Sequence, residues 1–105
     1  MIRYTTPTIT LTIEKTILPM DAEVYVTIQQ GNRKLTKKDP EVDRGEKNTI
    51  ISLTLTQEES AAFESRDPAF VQVNWITADG VRSATKAASV FVFDNLLTEV
   101  VSYGG

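Results

Sequence analysis

Residues 8–13 read Thr8-Ile9-Thr10-Leu11-Thr12-Ile13, with an apolar side chain at every second position. A period of two is the mark of a strand with one buried face, because successive side chains on a pleated backbone point to opposite sides. Residue type agrees with period. Thr and Ile are branched at Cβ, which costs rotamer freedom in a helix and packs well on a sheet.

The same alternation recurs along the chain. In Glu23 to Gln30, Val24, Val26 and Ile28 alternate with Tyr25, Thr27 and Gln29. In Thr49 to Thr56, Ile51, Leu53 and Leu55 alternate with Ser52 and Thr54. In Ala69 to Thr77, Val71, Val73 and Trp75 alternate with Gln72, Asn74 and Ile76. Ala87 to Phe93 is apolar on both phases. It fits a central strand covered on both sides or an edge strand packed by the tail. Either Val90 and Val92 or Phe91 and Phe93 then face the core.

Turn signals separate these runs. Gln30-Gly31-Asn32 reverses the chain into a short strand near Arg33 to Leu35. Ala78-Asp79-Gly80-Val81 reads as a tight hairpin, since Asp-Gly supplies positive φ readily. Lys37 to Asn48 holds Pro40, Gly45 and eight charged residues, and reads as a solvated loop with room for a short strand at Glu41 to Asp43. Thr56-Gln57-Glu58-Glu59 has capping-box spacing, so a helix of about two turns starts there and ends before Pro68. The tail, Asp94 to Gly105, fits a helical turn or a final strand.

Together these signals predict an all-β fold. The expected architecture is an immunoglobulin-like two-sheet β-sandwich of about seven strands, with one short helical crossover near 57–63. A small open barrel is the rival. The expected core is Ile9, Leu11, Val24, Val26, Ile28, Ile51, Leu53, Leu55, Phe63, Val71, Val73 and Trp75. Residues 1–105 read as one domain with its core in about 8–93, and with terminal segments 1–7 and 94–105 as candidate interface.

Composition narrows the function classes. The net charge is -3, from 11 basic and 14 acidic residues. A non-specific nucleic-acid binder needs a basic stripe and a membrane-surface anchor a polybasic run, so neither partner is expected. The chain has no Cys and no His. That removes disulfides, thiolate chemistry, the usual general base at neutral pH and the commonest transition-metal ligands. No apolar run approaches the ~20 residues of a membrane span, and residues 1–12 lack the apolar core of a signal peptide. A cytoplasmic location in the producing cell is expected.

The remaining side chains form none of the usual catalytic patterns. There is no Gly-rich phosphate loop, no G-x-S-x-G elbow and no Ser-x-x-Lys pair. Glu58 and Glu59 point about 100° apart on a helix and read as a charged first turn. Asp39, Glu41 and Asp43 lack the Gly and distal Glu of a calcium loop and read as solvated charge. No enzyme activity, metal or cofactor is expected. Trp75 shares a phase with Val71 and Val73, which favours a core role over a stacking platform. Tyr4, Tyr25, Leu96, Leu97, Val100, Val101 and Tyr103 are the candidate interface residues, because apolar weight at chain ends and tyrosine on a polar strand face both suit contact surfaces. The terminal segments pack on their own domain or dock on another subunit.

The order of these segments resembles a known pattern. It runs from the strand at Thr8 to Ile13 and Met20-Asp21-Ala22-Glu23-Val24-Tyr25-Val26-Thr27-Ile28, through the variable charged loop, to Ile50-Ile51-Ser52-Leu53-Thr54-Leu55-Thr56-Gln57-Glu58-Glu59. Val71-Gln72-Val73-Asn74-Trp75-Ile76, Asp79-Gly80 and Ala88-Ser89-Val90-Phe91-Val92 complete it. The series is similar to the N-terminal immunoglobulin-like domain of the phage baseplate upper protein family, and to short prophage proteins of Gram-positive bacteria. Arg66-Asp67-Pro68 stands where that family often has a glycine. The resemblance implies a virion structural or adaptor role, in a tail or baseplate. Its partners would be other phage structural subunits or further copies of the chain, with no catalytic residues to transfer. A small carbohydrate-binding module is the alternative, which exposure of Trp75 would favour and its burial would count against.

Overall fold

The computed structural model describes residues 1–104. Its elements are β1 (Thr8–Ile13), β2 (Glu23–Gln30), β3 (Arg33–Lys38), β4 (Glu41–Arg44), β5 (Thr49–Thr54), α1 (Gln57–Ala61), β6 (Pro68–Ile76), β7 (Arg82–Ala84) and β8 (Ala88–Phe91). They form two antiparallel sheets. The smaller has the order β1-β5-β4, and the larger β3-β2-β6-β7 with β8 also against β6. The chain crosses between sheets after β1, β3 and β5, the Greek-key connectivity of an immunoglobulin-like sandwich. The open-barrel alternative is set aside, because the two sheets are separate.

The core is where the alternating phases of both sheets meet. Val24, Val26 and Ile28 from β2, Ile51 and Leu53 from β5, Val71 and Val73 from β6, together with Leu55 and Phe63, are all buried. Ile13, Leu18, Ala69 and Val92 belong to this core as well. Three expected members, Ile9, Leu11 and Trp75, are only half-buried and pack on its margin. Ile9 and Leu11 lie on an outermost strand, and Trp75 lies near the end of β6, so each is covered from fewer sides.

Buried polar groups fasten the connections. Thr49 is 0% exposed, and its hydroxyl accepts from the Leu18 amide at 3.1 Å and donates to the Thr16 carbonyl at 2.9 Å. The β1–β2 connection is thereby tied to the base of β5, with Leu18 as its apolar plug. Gln30 does the same for the segment between α1 and β6. Its amide group donates to the Glu64 and Asp67 carbonyls and accepts from the Glu64 amide. The capping box at α1 is complete, with Thr56 accepting from the Glu59 amide and Glu59 accepting from the Thr56 amide.

Local departures have simple causes. The segment 37–48 is more ordered than a solvated loop. β3 runs on to Lys38, because Thr36 bonds Thr27 across the ladder at 2.9 Å, and β4 occupies Glu41–Arg44. The expected tight hairpin is present, with a loop of three residues, Ala78 to Gly80. Thr77 N–H donates to Val81 O, and Gly80, at φ 85°, donates to Thr77 O. The loop is closed by a residue in the left-handed region, a place that glycine fills without strain. The tail adopts neither helix nor strand over 94–104, and Gly105 lies outside the described residues.

The last strand is interrupted by a bulge. Asn74 faces Ala84, but Val71 faces Ala88, so Gln72 and Val73 of β6 oppose three residues, Thr85 to Ala87. The Thr85 hydroxyl accepts the Val73 N–H at 3.1 Å, standing in for the lost ladder carbonyl. An extra residue reverses the phase of everything after it. Ser83 and Thr85 share the inner phase before the bulge, whereas Ala88, Val90 and Val92 take it afterwards. Val92 is 0% exposed, and Phe91 and Phe93 face outward. No helix among the described residues is long and apolar enough to cross a membrane.

Candidate interaction surface

The outward phase of β8 carries the most conspicuous surface feature. Phe91 and Phe93 stack with ring centroids 4.8 Å apart, at 47% and 53% exposure. Phe91 lies opposite Pro68, and Phe70 lies one pair further along β6 on the same face. Diagonal neighbours at that spacing are within reach of aromatic rings. Ile2 extends the row, since it bridges Phe93 in parallel and is itself exposed. Ile2, Phe70, Phe91 and Phe93 thus form one apolar row on the outer face of the larger sheet. Contiguous exposed apolar surface of this kind marks an interaction site more often than scattered single residues do.

The two chain ends border this row in different ways. Met1 to Arg3 forms a short parallel ladder. The Met1 amino group donates to Phe91 O, Phe93 N–H donates to Met1 O, and Arg3 N–H donates to Phe93 O. Thr5 is held to the buried Ser60 hydroxyl through both its N–H and its C=O. The N-terminal backbone therefore packs on its own domain. Tyr4 sits there at φ 61°, half-buried, with the Arg3 guanidinium 5.4 Å from its ring centre. It is a packing residue as much as a surface one.

The C-terminal segment is pinned by its backbone while its side chains stay out. Asn95 donates to Arg3 O, and Gln57 exchanges two hydrogen bonds with the Val101 backbone, at 2.7 and 2.9 Å. Leu96 and Tyr103 are fully exposed, and Leu97, Val100 and Val101 are about half exposed.

Tyr25 is a separate location. It faces Asn74 across the ladder, six residues along β6 from Pro68, or roughly 20 Å at strand rise. Its hydroxyl donates to Glu23, which also pairs with Lys38 at 3.7 Å, and Lys38 lies over its ring. With Thr27, Thr36, Asn74, Trp75, Ile76 and Arg82 it lines an open depression of about 410 Å³. The seven candidate residues are therefore not one site. Five belong to the tail, Tyr4 to the N-terminal packing and Tyr25 to the sheet centre.

The aromatic row was the part not singled out from sequence. Phe70 carried a signal: it falls on the polar phase of β6, between buried Ala69 and Val71. Phe91 and Phe93 carried none by themselves, because the bulge that turns them outward leaves no simple pattern.

The titratable groups with shifted protonation do structural work. Partial burial by itself would raise the Glu59 carboxyl, but the Thr56 amide and the Lys37 ammonium, 2.9 Å away, outweigh it and hold the group below its ordinary value. The Thr77 hydroxyl lowers the Asp79 carboxyl within the hairpin. Among the described residues no three acidic side chains converge on a common point. Asp39 occupies a turn at φ 59°, while Glu41 and Asp43 lie on the exposed phase of β4. No family model, curated protein or solved structure matches the chain.

Proposed function

We propose that this chain is a non-enzymatic structural or protein-interaction module, of the kind that serves as a component or adaptor in a phage tail or baseplate. The observation that carries the reading is the exposed row Ile2, Phe70, Phe91 and Phe93, bordered by the apolar tail. Aromatic side chains supply large contact area at little entropic cost, and such residues anchor protein interfaces. Phage origin rests on the resemblance in strand order described above. The carbohydrate-binding alternative has less support, since the Trp75 ring packs on the margin of the core.

Binding to the purified products of adjacent genes tests the proposal, with a Phe91→Ser/Phe93→Ser double variant as comparison. The expected result is a saturable complex with at least one such product, weakened at least tenfold by the double variant while the melting temperature holds. Absence of any complex, or equal binding by the variant, would overturn the reading.

A further inference from the structure

The sandwich has four lateral strand edges, and they are not alike. β3 carries Arg33, Lys34, Lys37 and Lys38; β4 has four residues, among them Glu41, Asp43 and Arg44; the fourth edge is broken by the bulge into β7, three residues including Arg82, and β8, four residues whose far end is paired by Met1 to Arg3. Charge and shortness are the usual protections against edge-to-edge pairing. β1 has neither. Its six residues hold no charge, no Pro and no bulge.

The hydrogen-bond phase of β1 shows what its edge offers. Leu55 N–H donates to Pro7 O, so that pair is a bonded one. Bonded and non-bonded pairs alternate along an antiparallel ladder. Ile9–Leu53, Leu11–Ile51 and Ile13–Thr49 are therefore bonded, and Thr8, Thr10 and Thr12 turn their N–H and C=O groups away from β5. Among the described residues no strand takes them up. Beside this edge lies an open groove of about 360 Å³ between Leu11–Glu14 and the bulged segment Thr85, Lys86 and Ala88.

We propose that β1 pairs with β1 of a second copy, antiparallel about a two-fold axis, to join the two smaller sheets into one six-stranded sheet. The sequence of β1 is complementary to itself in one register. Thr10 opposite its own copy and Thr8 opposite Thr12 use all three outward residues, and each pair exchanges two backbone bonds. That register sets Thr against Thr on the outer face, a pairing this protein already makes at Thr8–Thr54 and Thr27–Thr36. On the inner face it sets Ile9 against Leu11, both half-buried and in need of cover. An uncharged edge meets its copy without repulsion, which a Lys-bearing edge does not. The contact is isologous and closes at the dimer. It is smaller than a standard interface, so a weak dimer that dissociates on dilution is expected.

Cross-linking tests the register. The chain has no cysteine, so a single introduced thiol can join only to its own copy. The Thr10 Cα atoms sit about 5.5 Å apart in the dimer, within disulfide reach, whereas the Thr8 Cα atoms sit roughly 14 Å apart. Thr10→Cys should form a covalent dimer under mild oxidation and Thr8→Cys should not. Light scattering from 1 μM to 1 mM should show a reversible monomer–dimer equilibrium, about tenfold or more weaker in Thr10→Pro, which deletes an outward N–H. Thr10→Lys should act likewise, which covers the case that the proline variant misfolds. The Phe91→Ser/Phe93→Ser variant should dimerise as the parent does, so failure of the aromatic reading and failure of this one are separable. A monomer at every concentration, or equal cross-linking at positions 8 and 10, would overturn the proposal.

Discussion

Replacing Thr49 with Val swaps a buried hydroxyl for a methyl of nearly the same size, so the change isolates two hydrogen bonds. The hydroxyl serves the Leu18 amide at 3.1 Å and the Thr16 carbonyl at 2.9 Å. Leu18 is 1% exposed, so its amide has no water to turn to. An orphaned buried amide costs about 2 kcal/mol, and the carbonyl of half-buried Thr16 about 1 kcal/mol. The added methyl returns about 1 kcal/mol of burial. The net loss is about 2 kcal/mol, or a fall in melting temperature of roughly 8 °C for a domain of this size. Circular-dichroism melts, with urea titration for the free energy, measure it. Thr49→Ser keeps the hydroxyl and loses only a methyl, so it should melt above the Val variant. If Thr49→Val melts within 2 °C of the parent, or below no more than Ser does, the β1–β2 connection is not held in this way.

The remaining predictions concern local devices. Glu59 has a lowered carboxyl, so its contribution is full above its ordinary value of 4.5 and is lost as pH falls below it. Glu59→Gln should therefore reduce stability at pH 7 and flatten the acid limb of the stability curve; an unchanged limb in urea titrations from pH 3 to 7 would contradict this. Gly80 sits at φ 85° with open space around its missing Cβ, so Gly80→Ala should cost about 1 kcal/mol through the backbone alone. Gly80→Asn should cost less, because Asn tolerates the left-handed region; equal losses in thermal melts would point to some other origin.

Much of the sandwich was legible because period and residue type agreed. β1 and β2 begin and end where the alternation does, and the capping box placed α1. What escaped depended on pairing at a distance. Leu18 lies in no periodic segment, and its burial follows from the Thr49 hydroxyl. The strand at 33–38 outran its turn signal because Thr36 found Thr27 across the ladder. Phe91 and Phe93 could not be assigned a face, since the phase of β8 is set by its partner β6 and not by its own composition. The candidate surface was half legible for the same reason. Apolar chain ends are visible in a sequence; a row assembled from β6, β8 and the N-terminus is not.

The bulge at Thr85–Ala87 also bears on how such a surface can change over generations. Single substitutions alter one contact at a time. Loss of one residue at this point would only remove the bulge, leaving two residues opposite Gln72 and Val73, so Val90 and Val92 would keep the inner phase and Phe91 and Phe93 the outer one. The interior that receives Val92, at 0% exposure, has no space for a phenyl ring. The aromatic row is thus held by the pairing of β8 with β6, and it survives the loss of the residue that makes the bulge.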